Sequence, residues 1–347
     1  MRIRSLRVVF AGLLGFAAGI DGWRLQAQLF DHLKAFGGRL ELGDPELRTS
    51  GVEGPKDVAA GDLDGDGDPD LAASNLDGTV TVYFNGGRGE FKDPIHLRTG
   101  TLSLRGLILA DLNCDGRLDI AAASPFSGHV SVFLSLGEGK FAGPFALPAW
   151  PGARNLIAGD FRGDGKLDLV VAGPENGLRQ YRACGEGPLP LAPVVERVAD
   201  ETSHSGRFPR PVYSLRLLRP PGASRDLLVA THAESNLVWV LAADAAGVLK
   251  VASRVEVSPR VYSIAVGPLR GRGLDALPEL VTAHRDSGKI EVRRGVLDGR
   301  GQLGFEHQAY QEILVPGGPR AVEVVDLDQN GWNDLVVVVR NLDVVLT

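Results

Sequence analysis

The sequence is poor in the residues that build disulfide scaffolds, membrane helices and common catalytic motifs. Its 347 residues include 2 cysteines and 1 methionine, and 6% are aromatic. Two cysteines cannot form a disulfide framework. Motifs of the types HExxH, GxSxG and CxxC are absent. The net charge of −6 argues against nucleic acid as the main partner.

The residues that are abundant favour many short strands. Glycine occurs 45 times and proline 21 times, spread through the chain, and both interrupt long helices. Hydrophobic residues make up 44% of the sequence, which is enough for a folded core. The composition therefore predicts an all-β protein rather than a helical or disordered one.

The N-terminus has the pattern of an export signal. Arg2, Arg4 and Arg7 precede residues 8–20, which carry no charge. This run is too short for a membrane span, which needs about 20 residues, but it fits the apolar core of a signal peptide. We expect a signal peptide over residues 1–27, with an uncleaved anchor as the alternative, followed by a short segment over 28–37. The mature protein is then secreted, periplasmic or on the cell surface, with no membrane span.

The rest of the chain is a repeat. The stretch that begins at Asp62, DLDGDGDPDLA, recurs at Asp111 as DLNCDGRLDIA and at Asp160 as DFRGDGKLDLV, 49 residues apart each time. A further copy, DLDQNGWNDLV, begins at Asp326, and two degenerate copies end near Asp226 and Glu279. Because each copy is followed by alternating apolar segments between turn residues, each predicts four strands per roughly 50 residues, the unit of a β-propeller blade.

Six strand sets predict six blades, and seven remain possible if residues 28–50 contain more strands. The segment Gly38 to Thr49 resembles an outer strand. It would complete one blade with the C-terminal strands and close the ring. We therefore assign residues 38–347 to a single propeller domain, with two β-sandwich domains as the alternative.

The acidic loops have the pattern of calcium sites. Ca²⁺ takes six to eight oxygen ligands at about 2.3–2.6 Å. Side chains at loop positions 1, 3, 5 and 9, with the carbonyl of position 7, would surround one ion, and the glycine at position 6 permits the turn. A helical EF-hand is excluded because position 12 lacks a glutamate and strands flank the loop. The expected ligands are Asp62, Asp64, Asp66, Asp68 and Asp70 in loop one, Asp111, Asn113, Asp115, Arg117 and Asp119 in loop two, and Asp326, Asp328, Asn330, Trp332 and Asp334 in loop six.

The third loop departs from this pattern. Arg162 stands at position 3, beside Asp160, Asp164 and Asp168. Its guanidinium could pair with the carboxylates and replace the metal charge, so a fourth calcium site here is left open. The loops of the degenerate repeats have lost their carboxylates, which leaves about three Ca²⁺ sites. Cys114 lies in loop two and Cys184 about one and a half repeats later, and we expect no bond between them.

These loops and their strand context resemble the FG-GAP and VCBS repeats of integrin alpha-chain propellers and of many secreted bacterial proteins. The resemblance covers about residues 38–347. It implies calcium in loops between the first and second strands of a blade. It also implies seven blades more often than six, and ligand binding on the face opposite the metal loops.

A basic residue precedes the first strand of every repeat: Lys56, Arg105, Arg154, Arg210, Arg260 and Arg320. In a propeller these residues would surround one mouth of the central channel. They predict either local pairing between blades or a site for an anionic ligand such as an acidic glycan.

The features together favour a non-catalytic binding or adhesion module for an extracellular protein or glycan. The alternative is a polysaccharide-acting lyase or hydrolase with its site at the channel mouth, where Tyr213, Tyr262 and His232 would be candidate acid/base groups.

Overall fold

The computed structural model describes residues 8–9, 24–25, 54–87, 90–173, 177–185, 191–198, 212–232, 236–269, 277–299, 301–326, 332–339 and 344–346. All regular secondary structure in these residues is β-strand, as the composition predicted. The strands are β1 (Val8–Val9), β2 (Arg24–Leu25), β3 (Pro55–Gly61), β4 (Asp70–Asn75), β5 (Thr79–Tyr83), β6 (Ile95–Arg98), β7 (Gly106–Ala110), β8 (Asp119–Ala123), β9 (His129–Gly137), β10 (Lys140–Pro148), β11 (Asn155–Gly159), β12 (Asp168–Ala172), β13 (Leu178–Arg182), β14 (Ala192–Val198), β15 (Val212–Leu218), β16 (Leu227–His232), β17 (Leu237–Ala243), β18 (Leu249–Glu256), β19 (Val261–Gly267), β20 (Glu279–His284), β21 (Lys289–Leu297), β22 (Leu303–Phe305), β23 (Gln311–Leu314), β24 (Pro319–Val325), β25 (Asp334–Val339) and β26 (Val344–Leu346).

The described strands belong to two compact units. The N-terminal unit contains β2 to β14, in sheets ordered β2-β3-β4-β5-β6, β10-β9-β8-β7 and β11-β12-β13-β14. The C-terminal unit contains β1 and β15 to β26, in sheets ordered β15-β16-β17-β18, β19-β20-β21-β22 with β23 beside β21, and β1-β26-β25-β24. From β3 onward, consecutive strands that pair do so antiparallel, as expected for meanders with short turns.

The sheets of each unit pack face to face, which explains why the inner strands are apolar throughout instead of alternating. Every residue of β7 and β8 is buried. Leu107 and Leu109 face the core shared with β3 to β5, whereas Ile108 and Ala110 face the core shared with β11 to β13. A strand covered on both sides has no polar face, so its hydrophobic pattern becomes continuous.

The acidic loops connect the first and second strands of their sheets. The register pairs Gly61 with Asp70, Ala110 with Asp119 and Gly159 with Asp168. The ninth loop residue is therefore the first residue of the second strand. The same holds for Glu279 and Asp334, which begin β20 and β25.

The N-terminal region is described at two short strands. Val8 and Val9 pair antiparallel with Leu346 and Val345, and β2 pairs parallel with β3. The proposed ring-closing segment at 38–49 lies outside the described residues, as do most residues of the expected signal peptide. Within the described ranges no helix is long and apolar enough to span a membrane.

Candidate functional site

The first acidic loop brings three carboxylates together. One oxygen from each of Asp62, Asp64 and Asp70 lies within 4.8 Å of the other two. Oxygens on opposite sides of a Ca²⁺ ion are about 5 Å apart, since each Ca–O distance is about 2.3–2.6 Å. The spacing therefore fits one shared cation. Lys92 Nζ, at 3.5 Å from Asp64 Oδ2, is a mostly exposed neighbour of this cluster.

Backbone hydrogen bonds shape this loop around Asp62. Its Oδ1 accepts from Gly65 N at 2.7 Å and its Oδ2 from Gly67 N at 3.0 Å. Both glycines have positive φ, 86° and 92°, which a glycine adopts without a steric penalty. The loop is thus wound tightly enough for alternate side chains to converge.

The second loop repeats this geometry with one substitution in the ligand set. Asp111 Oδ2 accepts from Gly116 N at 2.9 Å, the equivalent of the contact between Asp62 and Gly67. Asn113 Oδ1 accepts from Asp115 N at 3.1 Å. The Arg117 guanidinium pairs with Asp115 across the outside of the loop. Asp111, Asn113 and Asp119 could supply oxygens to a cation in the way the first loop does.

The ninth residue of both loops is fully buried and ties the loop to the sheet. Asp70 accepts from Leu63 N at 2.7 Å and from Asn85 N at 2.8 Å. Asp119 makes the matching contacts with the amides of Leu112 and Ser135, at 2.9 and 2.8 Å. Each carboxylate thereby links the start of the loop to the end of the third strand.

Burial raises the pKa of Asp70 and of Asp119 to about 6. The backbone hydrogen bonds lower both values, but neighbouring carboxylates raise them further: Asp64 and Asp66 in loop one, Asp115 and Asp111 in loop two. Crowded carboxylates that resist ionisation are stabilised by a cation. A bound divalent ion would lower the repulsion among these carboxylates.

In the third loop an arginine side chain lies among the acidic residues. Arg162 places Nη1 at 2.7 Å from Asp164 Oδ2 and Nη2 at 3.1 Å from Asp168 Oδ1. Gln180 Nε2 donates to the other oxygen of Asp168 at 3.0 Å. Burial raises the pKa of Asp168, and the contacts with Gln180 and Arg162 oppose that rise. Arg162 therefore makes the guanidinium–carboxylate pairs that the sequence analysis considered for this loop.

Cys114 and Cys184 form a disulfide, so the expectation of no bond between them was wrong. Their Cα atoms are 5.3 Å apart. Cys184 follows β13, and its amide donates to Leu112 O at 3.1 Å, which brings this turn against loop two. Sheet packing thus joins residues that are 70 positions apart in the sequence.

The basic residues that the sequence analysis placed before the first strand of each repeat differ in their surroundings. Lys56 and Arg320 are buried, whereas Arg154 and Arg260 are exposed. Arg105 is half-buried, and within the described part of the chain its Nε and Nη1 atoms have no hydrogen-bond partner. Arg210 lies outside the described residues. In the C-terminal unit, Arg260 Nη1 lies 2.6 Å from Asp286 Oδ2, and Arg320 Nη2 lies 3.3 Å from the Tyr262 hydroxyl.

Comparisons with known proteins agree with the repeat pattern and the fold. A family model described as an FG-GAP-like repeat matches residues 62–122 and 111–171, which contain the first three acidic loops. The periplasmic gluconolactonase PpgL of Pseudomonas aeruginosa is structurally similar, with a TM-score of 0.54, 19% identity, and coverage of 76% of this chain and 71% of that one. Residues 62–171 thus match FG-GAP-like repeats, and the chain has a β-propeller fold.

Two further solved structures share the propeller fold. A protein from Lactobacillus plantarum has a TM-score of 0.51 and 16% identity, covering 77% of this chain and 73% of its own. BBS1N, solved in complex with ARL6DN, has a TM-score of 0.52 and 13% identity, covering 85% of this chain and 77% of its own. At these identities the similarity concerns the fold. No curated protein sequence matches the chain.

The remaining predicted loops of the propeller are partly described. Asp326, Trp332 and Asp334 lie in described segments, whereas Asp328 and Asn330 do not. In the degenerate repeats, Asp226 Oδ1 accepts from Arg219 Nε at 2.8 Å, and Glu279 Oε2 accepts from Leu269 N at 2.8 Å. The second contact matches the bond between Asp70 and Leu63, which supports the sequence alignment of Glu279 with the ninth loop position.

Sequence reasoning missed Arg285, which lies in the turn between β20 and β21. Its guanidinium carbon lies 5.1 Å from the centre of the Tyr262 ring, and that of Arg320 lies 5.5 Å from the same ring. The nearest sequence cue was the Val-Tyr-Ser stretch that both degenerate repeats share, at 212–214 and 261–263.

Proposed function

We propose that this propeller is an exported, calcium-stabilised binding module for a protein or glycan ligand. The observation that carries the calcium assignment is the convergence of Asp62, Asp64 and Asp70 within 4.8 Å. The second loop has the same backbone contacts around Asp111. Both loops offer oxygen ligands alone, the donor set that Ca²⁺ prefers.

Bound Ca²⁺ would supply positive charge to these loops and lower the repulsion among their carboxylates. Asp62 and Asp111 would orient the loop through their backbone contacts, while Asp70 and Asp119 anchor it to the sheet. The loops would then be rigid parts of the scaffold, and recognition would fall to other surface loops. In the third loop Arg162 would fulfil the same role without a metal.

The disulfide supports export. Disulfides persist in oxidising compartments such as the periplasm and the extracellular space, and they are rare in the cytosol. The bond between Cys114 and Cys184 is therefore better suited to a secreted, periplasmic or cell-surface protein. Adhesion is one use of such a module at a cell surface.

The similar structures support two functional classes. BBS1N was solved with a partner protein, which favours a binding role, and PpgL is a gluconolactonase, which favours an enzyme. Our second candidate is accordingly an extracellular polysaccharide-acting enzyme. Among its candidate groups, Tyr262 has the guanidinium groups of Arg285 and Arg320 against its ring.

Thermal unfolding with calcium, with magnesium and with excess chelator tests the calcium assignment. A ligand that binds the folded state raises its stability by about 2.7 kcal/mol at a hundredfold excess over its Kd. We expect calcium to raise the midpoint and chelator to lower it, with magnesium unable to substitute. Asp64→Ala should reduce this calcium response. Asp244→Ala is the matched control, because Asp244 caps an ordinary turn through Ala246 N and Val248 N.

An unfolding midpoint that changes with neither calcium nor chelator would refute the assignment. An equal calcium response in Asp64→Ala and the wild type would also refute it. Glycan and protein arrays probed in calcium then test the binding role. Saturable binding without turnover supports the module, and product release from a polysaccharide supports the enzyme. The absence of both would overturn both candidates.

A further inference from the structure

A cleft in the C-terminal unit combines an arginine–aspartate pair with an apolar wall. It has a volume of about 610 Å³ and is lined by Arg285, Asp286, Ser287 and Gly288 on one side and by residues 314–318 on the other. The first group forms the turn between β20 and β21, and the second connects β23 to β24. Cavities of roughly 300–1,000 Å³ are typical of small-molecule sites.

Arginine side chains are grouped around Tyr262 beside the cleft, and Arg285 is the one that lines it. Arg285 and Arg320 both lie against the Tyr262 ring, at 5.1 and 5.5 Å. Arg260 and Arg285 share the carboxylate of Asp286, at 2.6 and 3.1 Å. Hydrogen bonds from Arg260 and Arg285 lower the pKa of Asp286, so it is ionised at neutral pH. Of these charged side chains, Arg285 and Asp286 line the cleft itself, whereas Arg260 and Arg320 lie beside it.

The opposite wall is apolar. Leu314 is 78% exposed, and the exposed Pro316 continues this wall. The wall approaches Arg285 closely at Gly318, where a Cβ atom would lie 2.8 Å from Arg285 O. A glycine at this position therefore keeps the two sides of the cleft in contact at its base.

We propose that this cleft binds a small organic carboxylate, with Arg285 as its main contact. A guanidinium matches a carboxylate with two parallel hydrogen bonds. The exposed leucine and proline would cover the apolar body of such a ligand. This inference rests on the proposed binding function and names the chemistry of one ligand group.

The apolar wall explains why an organic carboxylate suits the cleft better than phosphate or sulfate. A small inorganic anion would leave Leu314 and Pro316 exposed to water, whereas the body of an organic acid would cover them. The carboxylate could come from an acidic sugar or from an acidic side chain of a peptide.

Isothermal titration of the full chain in calcium tests this site, with trigalacturonate, tetraglutamate and inorganic phosphate as probes. We expect saturable binding of at least one carboxylate probe, and the tighter of the two identifies the source. Arg285→Gln should weaken that binding by about tenfold or more, since hydrogen bonds to charged groups are among the stronger ones. Arg285 is at the surface, so unfolding midpoints should confirm that the variant folds.

Arg294→Gln is the matched control. Arg294 stacks on Tyr310 at 4.9 Å in the same unit but does not line the cleft. Its loss should leave the affinity unchanged. Failure of both carboxylate probes to bind, phosphate binding more tightly than either, or equal affinity in Arg285→Gln would each overturn the inference. Array binding and a calcium response that persist in Arg285→Gln would leave the proposed function standing without this cleft.

Discussion

Replacement of Arg162 tests whether its side chain supplies, in the third loop, the positive charge that a metal ion would supply. Arg162 is mostly buried and pairs with Asp164 and with the fully buried Asp168. Removal of one member of a buried ion pair costs about 3–5 kcal/mol because the other charge loses its partner. Gln180 still donates to Asp168, so we expect Arg162→Ala to cost about 3 kcal/mol, the lower end of that range.

Arg162→Asn should behave differently when calcium is present. The asparagine would occupy the position that Asn113 has in the second loop and complete an oxygen set with Asp160, Asp164 and Asp168. In chelator both variants should lose about the same stability. In calcium, Arg162→Asn should regain about 2.7 kcal/mol at a hundredfold excess over the Kd, whereas Arg162→Ala should regain none at this loop.

The assay is unfolding of the wild type and both variants, each in calcium and in chelator. The decisive quantity is the difference between the calcium responses of the Asn and Ala variants. Arg179→Asn is a control, since Arg179 stacks on Trp150 at 4.3 Å outside the acidic loops. Equal calcium responses in the two variants, or wild-type stability of Arg162→Ala in chelator, would refute the reasoning.

Two further predictions concern buried groups. Burial opposes ionisation of Glu291. Contacts with four side chains outweigh this effect and hold the pKa of Glu291 well below its usual range. These side chains are His284, Ser258, Lys289 and Arg293. A lowered folded-state pKa stabilises the protein above the unfolded value of 4.5. Glu291→Gln should therefore lower the unfolding midpoint at neutral pH, and its difference from the wild type should shrink as pH falls below 4.5; a difference independent of pH would contradict this. Reduction of the Cys114–Cys184 bond, which closes a 70-residue separation, should cost about 4 kcal/mol by loop entropy. Calorimetry with and without reductant would measure this loss, with the Cys114→Ala/Cys184→Ala double variant as the control that reductant leaves unchanged.

The repeat pattern predicted most of the local structure because it is a local signal. Spacing of 49 residues placed the loops, and continuous apolar runs such as 106–110 identified strands covered on both faces. The role of Arg162 was also readable, since its charge lies two residues from one aspartate and six from another. Blade number and ring closure stay predictions.

Contacts between sheets were not readable in this way. The disulfide depends on how loop two packs against the end of β13, and no periodicity encodes that packing. One cue was present in retrospect. Cys114 has a positive φ of 62° and stands where loops one and three have Gly65 and Gly163. A cysteine at a position that favours glycine indicates a compensating interaction. The cleft around Arg285 likewise joins a turn to a distant connecting segment.

The ninth loop position shows how metal binding and folding can be separated within one repeat. In loops one and two its carboxylate is bonded by backbone amides on both sides, so it stabilises the blade whether or not an ion is bound. In the degenerate repeats this acid persists, as Asp226 and Glu279, while the acids at positions 1 and 3 are gone. Its partners there are an arginine and a backbone amide. A buried carboxylate with such partners keeps a structural role when the other acids of its loop are replaced, so a repeat can lose its proposed metal ligands and keep its fold.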